Sequence, residues 1–159
     1  MRFALTDEQL EFRDAVRGLL EDTCPPAAVR AAWTAGREDS EGADPETPDG
    51  RVPAAWSALA EMGVLGVTVP EPLGGLGMTD EDVVPLLIEC GRVGLPDPVA
   101  STAYVAAAHL AEVGGFDDVV AAIASGDASI GVGFGQGCLV ANAETVDYFL
   151  LGAGFEGGG

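Results

Sequence analysis

No lysine occurs among the 159 residues, and the whole positive charge rests on seven arginines. Twenty-six acidic residues oppose them, leaving a formal net charge of -19. Phosphate backbones are repelled by such a surface, so nucleic acid is not an expected partner. Cysteine is scarce as well: Cys24, Cys90 and Cys138 are odd in number and far apart, which argues against a disulfide framework and for a reducing, cytoplasmic compartment. The lone His109 has no cysteine or carboxylate cluster around it, so it is expected on a helix face or in the core, and no metal site is expected. No apolar run approaches the roughly 20 residues of a membrane helix. Asp7 and Glu8 stand where a signal peptide would carry its apolar core, so a soluble protein with no membrane partner is expected. Nearly half of the residues, 48%, are apolar, enough to bury the core of one ordinary domain.

Helix signals dominate the first three quarters of the chain. Thr6 followed by Gln9 forms a capping-box pattern inside the Leu5 and Leu10 staple, and predicts a helix over 7–21 that stops at Cys24-Pro25-Pro26. Its apolar face carries Phe12, Val16 and Leu19. The stretch 37–51 offers one alanine and no larger apolar side chain, and reads as a mobile acidic loop. Pro53 opens a second helix over 53–62 with Trp56 and Leu59, ended by Gly63. An extended apolar run, Val64–Val69, leads into a shaped loop rich in proline and glycine. Thr79 and Asp82 cap a third helix over 80–91, with Leu86 and Leu87 on its apolar face and Pro85 expected to kink it. Ser101 and Thr102 cap a fourth over 102–113, and a fifth spans 117–125. Phe12, Val16, Leu19, Trp56, Leu59, Leu65, Leu86 and Leu87 are expected in one core. Short runs at Ser129–Phe134, Leu139–Val140 and Val146–Leu151 then read as strands, the start of a second unit.

No catalytic constellation follows from spacing. Ser101 and Ser129 lack a Gly-x-Ser-x-Gly setting, which disfavours a hydrolase. The glycines of Gly131–Gly137 are followed by no capped helix and no lysine, so a glycine-rich strand or tight turn fits them better than a phosphate cradle.

The order of segments resembles the amino-terminal domain of acyl-CoA dehydrogenases. Phe3–Gln9 with Phe12-Arg13-Asp14 looks like that family's opening helix, and Trp56–Gly66 looks like its second. Val69–Met78 is similar to its Pro-Glu-x-x-Gly-Gly-x-Gly loop, followed by the Glu89-Cys90-Gly91-Arg92 helix end. The likeness runs from residue 3 to about 126 in the right order.

This resemblance implies a mainly α fold: an up-and-down helical domain over 1–126, then the first strands of an incomplete middle β-domain over 127–159. In such enzymes a carboxy-terminal helical bundle completes the protein, and FAD and an acyl-CoA thioester lie between the parts. A glutamate of that bundle takes the α-proton while FAD accepts hydride from the β-carbon. No catalytic residue is therefore expected in this chain, and Glu71 is expected to satisfy backbone donors of its loop. The implied substrate-side positions are Ser101, Thr102, Tyr104, Val105 and Ala108. The implied cofactor-side positions are Phe134, Gly135 and Gln136. Ala103, Ala106, Ala107 and Ala108 either leave room for an acyl group or permit close helix packing. The family's Thr-Glu-Pro stretch after the first β-strand has no counterpart in Ile130–Gly137, so inactivity of this chain alone is expected. The partners implied are acyl-CoA, an electron acceptor such as electron-transfer flavoprotein, and further subunits of a homo- or hetero-oligomer. Two other readings stay open: a non-catalytic partner subunit of a hetero-oligomeric dehydrogenase, and a flavin-dependent monooxygenase or oxidase on the same fold.

Overall fold

The computed structural model describes residues 4–35, 50–135 and 137–152. The acidic loop expected over 37–51 lies outside them except for Gly50 and Arg51. The elements in order are helices α1 (Asp7–Thr23), α2 (Pro26–Ala35), α3 (Pro53–Glu61) and α4 (Asp80–Val93), then a π-helical segment (Ala100–Ala106) running into α5 (Ala107–Val113). Helix α6 (Asp117–Ser125) and two strands, β1 (Ile130–Phe134) and β2 (Tyr148–Gly152), complete them. The fold is mainly helical, as the residue pattern predicts.

Both expected capping boxes form. The Thr6 N–H donates to Gln9 Oε1 (3.0 Å) and the Gln9 N–H to Thr6 Oγ1 (3.2 Å). At the start of α4 the Asp82 carboxylate accepts from the Thr79 N–H and hydroxyl, at 2.9 and 2.7 Å. Gln9 Nε2 also donates to Asp82 Oδ1 (2.8 Å), so the two helix starts are tied to each other and α1 and α4 run side by side in the same direction. Farther along, Glu89 on α4 accepts from Arg17 of α1 at 2.6 and 3.0 Å and from Arg92 at 2.7 Å. Its side chain is 1% exposed, which is tolerable only because two guanidinium groups satisfy the charge.

Three local expectations are corrected. The first helix does end against Cys24-Pro25-Pro26, but the sequence reading missed α2, which Pro26 starts, because a proline at a first helical position gives up only a donor that is orphaned anyway. Val64–Val69 is not extended. Gly63, in the left-handed region at φ 82°, turns the chain into a 3-10 turn at Val64–Gly66. The following loop folds back on it through Leu76 N–H to Gly66 O (3.0 Å) and Met78 N–H to Val67 O (2.9 Å). A β-carbon on Gly75 would lie 2.0 Å from Val69 O, so this double-back requires glycine there. Leu139–Val140 forms no strand. Pro85 sits buried inside α4 without ending it.

The eight expected core residues do share one core. Val16, Trp56, Leu59, Leu65 and Leu86 are buried in it, and Phe12, Leu19 and Leu87 pack half-buried against it. A second cluster, around Val69, Ala106, Ala107, Leu110, Val120, Ile123 and Ile130, joins α5 and α6 to β1.

The Arg17 hydrogen bond, together with Arg92 and against the opposing effect of burial, holds the Glu89 carboxyl at about 2, below its ordinary 4.5. A lowered folded-state value stabilises at neutral pH, starts to fade below about pH 4.5 and is lost by about pH 2. Glu89→Gln should therefore flatten the acid limb of stability against pH, while costing on the order of 2 kcal/mol at pH 7 because the charge-assisted bonds to the buried carboxylate are lost. Urea midpoints from pH 2 to 7 test this: parallel acid limbs for the two proteins would contradict it.

Candidate functional site

The candidate site is the junction where the helical unit meets the two strands, and a buried polar hub builds it. Helix α4 ends at Gly94, left-handed at φ 69°, and the turn beyond it places Asp97 inside. Asp97 Oδ1 accepts from Arg51 Nε (2.9 Å), and Oδ2 accepts from the Val52 N–H (2.9 Å) just ahead of α3. The Arg51 guanidinium lies 4.5 Å from the centroid of the Trp56 ring and reaches Ser129 Oγ (3.4 Å) and Thr145 O (3.5 Å). Trp56 Nε1 donates to Gly126 O (2.8 Å). On the strand side Asp147 Oδ2 accepts from both the N–H and the hydroxyl of Ser129, each at 2.8 Å. Asn142 Nδ2 donates to Pro96 O (3.1 Å), closing the ring of contacts.

None of Arg51, Asp97, Ser129 or Asp147 was picked out from the sequence as part of a site. Arg51 could have been suspected, as the one cation that ends the long acidic stretch. Asp97 lies between two prolines and carries no periodic signal.

The five candidate substrate-side residues fall on the π-helical segment and the first turn of α5. Thr102 is fully buried, and its hydroxyl accepts from the Ile130 N–H (2.9 Å) and donates to Ile130 O (3.2 Å). Ser101 Oγ donates to Pro98 O (3.1 Å). Tyr104, Val105 and Ala108 are half-buried, and Tyr104 packs against the first core. Ala103, Ala106 and Ala107 are buried in the two cores, so these three alanines serve close packing.

Strands β1 and β2 pair in parallel, Ile130 with Tyr148 through Phe134 with Gly152. The glycines of β1 are a seat for the connection between the strands. A β-carbon on Gly131 would lie 2.6 Å from Val140 Cγ1, and one on Gly133 2.7 Å from Cys138 Sγ. Of the candidate cofactor-side residues, Phe134 is 68% exposed and Gly135 is exposed at φ 85°, whereas Gln136 lies outside the described residues. Beside them opens an apolar groove of about 700 Å³ lined by Cys138, Leu139, Val140, Phe149 and Leu151 among others. Its described lining has no charged or hydroxyl side chain. No described arginine lines this groove, and Arg13, Arg17, Arg51 and Arg92 are engaged with carboxylates elsewhere. The described residues thus fit a wall against an apolar or aromatic surface and do not by themselves fit the diphosphate of FAD.

Cys24 and Cys90 are buried in the core. Burial raises both thiols, Cys90 to about 12, which keeps them protonated. His109 is exposed on α5. The Glu71 carboxylate is exposed and takes no hydrogen bond among the described residues. The loop is held instead by backbone bonds such as Gly74 N–H to Glu71 O (3.0 Å), a correction to the role expected for Glu71.

Residues 6–115 match the family model of the acyl-CoA dehydrogenase N-terminal domain. Acyl-CoA dehydrogenase FadE34 of Mycobacterium tuberculosis is 40% identical over 100 residues, which are 62% of this chain and 13% of that protein. Acyl-CoA dehydrogenase IpdE2 of the same organism is 31% identical over 106 residues, 66% of this chain and 30% of that protein. The chain therefore spans less than a third of either relative. Among solved structures, a variant of the Tcur3481-Tcur3483 steroid ACAD superposes with a TM-score of 0.70 at 23% identity, covering 91% of this chain and 44% of that one. The ChsE4-ChsE5 complex of Mycobacterium tuberculosis gives 0.67 at 21%, covering 88% and 40%. At these identities the structural likeness establishes the fold.

The hub has a measurable asymmetry. Asp97→Ala strands the buried Val52 N–H and takes the carboxylate from the half-buried Arg51 guanidinium, and should cost about 3 kcal/mol. Ser129→Ala removes one neutral hydroxyl and should cost about 1 kcal/mol. Urea unfolding of the two variants checks the order; equal costs would show that Asp97 is not the centre of the hub.

Proposed function

The chain belongs to the acyl-CoA dehydrogenase family, and from that premise we propose that it is the amino-terminal part of a flavoprotein subunit that oxidises an acyl-CoA thioester at its α,β-carbons. The single observation that carries the reading is the match of residues 6–115 to the family's N-terminal domain. In this reading residues 1–126 are the helical domain and 127–159 the start of the middle β-domain. Tyr104, Val105 and Ala108 face the acyl group, with Ser101 and Thr102 at the head of the same helix. Phe134, Gly135 and Gln136 stand on the cofactor side. When bound, FAD supplies the redox chemistry, accepting the electrons and passing them to an acceptor such as electron-transfer flavoprotein. Its diphosphate contacts and the proton-abstracting glutamate belong to parts of the protein beyond the described residues. The protein acts in the cytoplasm, in fatty acid or lipid metabolism.

A second reading has a specific observation in its favour. The two solved structures described above are named as paired proteins, Tcur3481-Tcur3483 and ChsE4-ChsE5. The family's Thr-Glu-Pro stretch after the first β-strand has no counterpart in Ile130–Gly137. A cofactor-poor subunit that completes a hetero-oligomer fits both facts. The name of one neighbour, a steroid ACAD, also makes a polycyclic acyl group a substrate worth testing.

Two measurements test the proposal. The chain on its own should bind no flavin and oxidise no thioester; a yellow preparation with near-stoichiometric flavin absorbance would overturn that. In the parent protein, Ala108→Trp should lower kcat/KM for a bulky or steroid-bearing acyl-CoA about tenfold or more relative to a short straight-chain one. Equal losses for both substrates, or none for either, would remove this helix from the acyl site. A parent protein without flavin or turnover would favour the partner-subunit reading.

A further inference from the structure

Three threonines lie within the described helices, and they use their hydroxyls differently. Thr23 Oγ1 donates to Leu19 O (2.8 Å) and Thr34 Oγ1 to Arg30 O (2.8 Å), each four residues back on its own helix. That local bond is the ordinary habit of a helical threonine. Thr102 departs from it. The carbonyl four residues behind it, Pro98 O, accepts from the Thr102 N–H (2.9 Å) and from the Ser101 hydroxyl (3.1 Å). The Thr102 hydroxyl turns outward instead and takes both polar groups of one strand residue, the N–H and C=O of Ile130.

The strand register makes this pair of bonds specific. Tyr148 N–H donates to Ser129 O, and Ile130 is paired with Tyr148. In a parallel ladder the bonding direction alternates along the strand, so residues 129, 131 and 133 bond toward β2 while Ile130, Val132 and Phe134 present their backbone groups to the opposite edge. On that edge Thr102 does at Ile130 what a neighbouring strand would do. The helix that delivers it is widened into a π-helix at this place, with Ala107 N–H donating five residues back to Thr102 O. The adjacent Ala103 O accepts from Thr68 Oγ1 (3.3 Å), a bond from outside the helix. Wide turns of this kind recur where a helix is shaped for a task beyond packing.

We propose that Thr102 is a positioning residue. It stands in for a strand at the edge of β1 and locks the first residue of that strand to the helix carrying Tyr104, Val105 and Ala108. The strand ending at Phe134 and the helix beginning at Ala100 then move as one body, with the spacing between them set at Ile130. This goes beyond the dehydrogenase reading and does not depend on it, since the bonds are visible whatever the parent protein catalyses.

Amide hydrogen exchange on the ¹⁵N-labelled chain tests the lock, with Thr102→Val keeping the shape and Thr102→Ser keeping the hydroxyl. The Val120 amide on α6 serves as the gauge of overall stability. In Thr102→Val the Ile130 amide should exchange about tenfold faster, over and above any change at Val120, the factor that one lost hydrogen bond corresponds to. Thr102→Ser should restore its protection to near the wild-type level. Equal acceleration of Ile130 and Val120 in the valine variant would reduce Thr102 to a general packing residue and overturn the proposal, as would a serine variant as exposed at Ile130 as the valine one. Should the valine variant not fold, Thr102→Ala is read against Thr102→Ser by the same ratio. A parent protein without dehydrogenase activity would sink the functional reading and leave this result untouched.

Discussion

A carboxylate cannot be left alone in a protein interior, and much of this junction follows from how Asp97 avoids that state. Its side chain is fully buried, so both oxygens need donors, and they come from Arg51 and the Val52 backbone. That requirement pins the start of α3 to the turn after α4. It also places the guanidinium where its remaining donors reach Ser129 and Thr145, and where its face covers Trp56. One ion pair thus touches α3, the α4 exit, the start of β1 and the approach to β2. A buried pair of this kind adds little net stability compared with an apolar substitute, whereas removing one partner alone is costly.

The scarcity of positive charge gives the arrangement a second meaning. With 26 acids and seven arginines, a surface that scattered its cations would gain little from each. Here Arg17 and Arg92 converge on the buried Glu89, and Arg51 on the buried Asp97. These three cations sit where a buried carboxylate would otherwise be unpaired. The solvent-facing charge is left overwhelmingly negative, which suits solubility and repels polyanions.

The helical part was largely legible. Thr6-Gln9 and Thr79-Asp82 are local signals, complete within four residues, and both boxes form. The apolar spacing of Val16, Leu59 and Leu86 likewise identifies a buried face, since burial of a helix stripe depends on its own periodicity. Where reading failed, competing local preferences were close in energy. Pro25-Pro26 signals a stop and a start equally well. Val64–Val69 is apolar enough for a strand, but Gly63 and the returning loop make it a tight turn whose backbone groups bond to Leu76, Gly77 and Met78.

The family resemblance, the helical order and the main core could thus be read residue by residue, because caps, periodicity and a Pro-Glu-x-x-Gly-Gly-x-Gly loop act over a few positions. The junction, by contrast, rests on long-range contacts. The bonds of Asp97 with Arg51, of Thr102 with Ile130 and of Asn142 with Pro96 join residues 46, 28 and 46 positions apart. The glycines of β1 belong to the same class, since they matter only because Cys138 and Val140 fold back onto them. Nothing local marks a residue for such a partner: the free energy of a buried polar contact exists only once the chain has brought both ends out of water together.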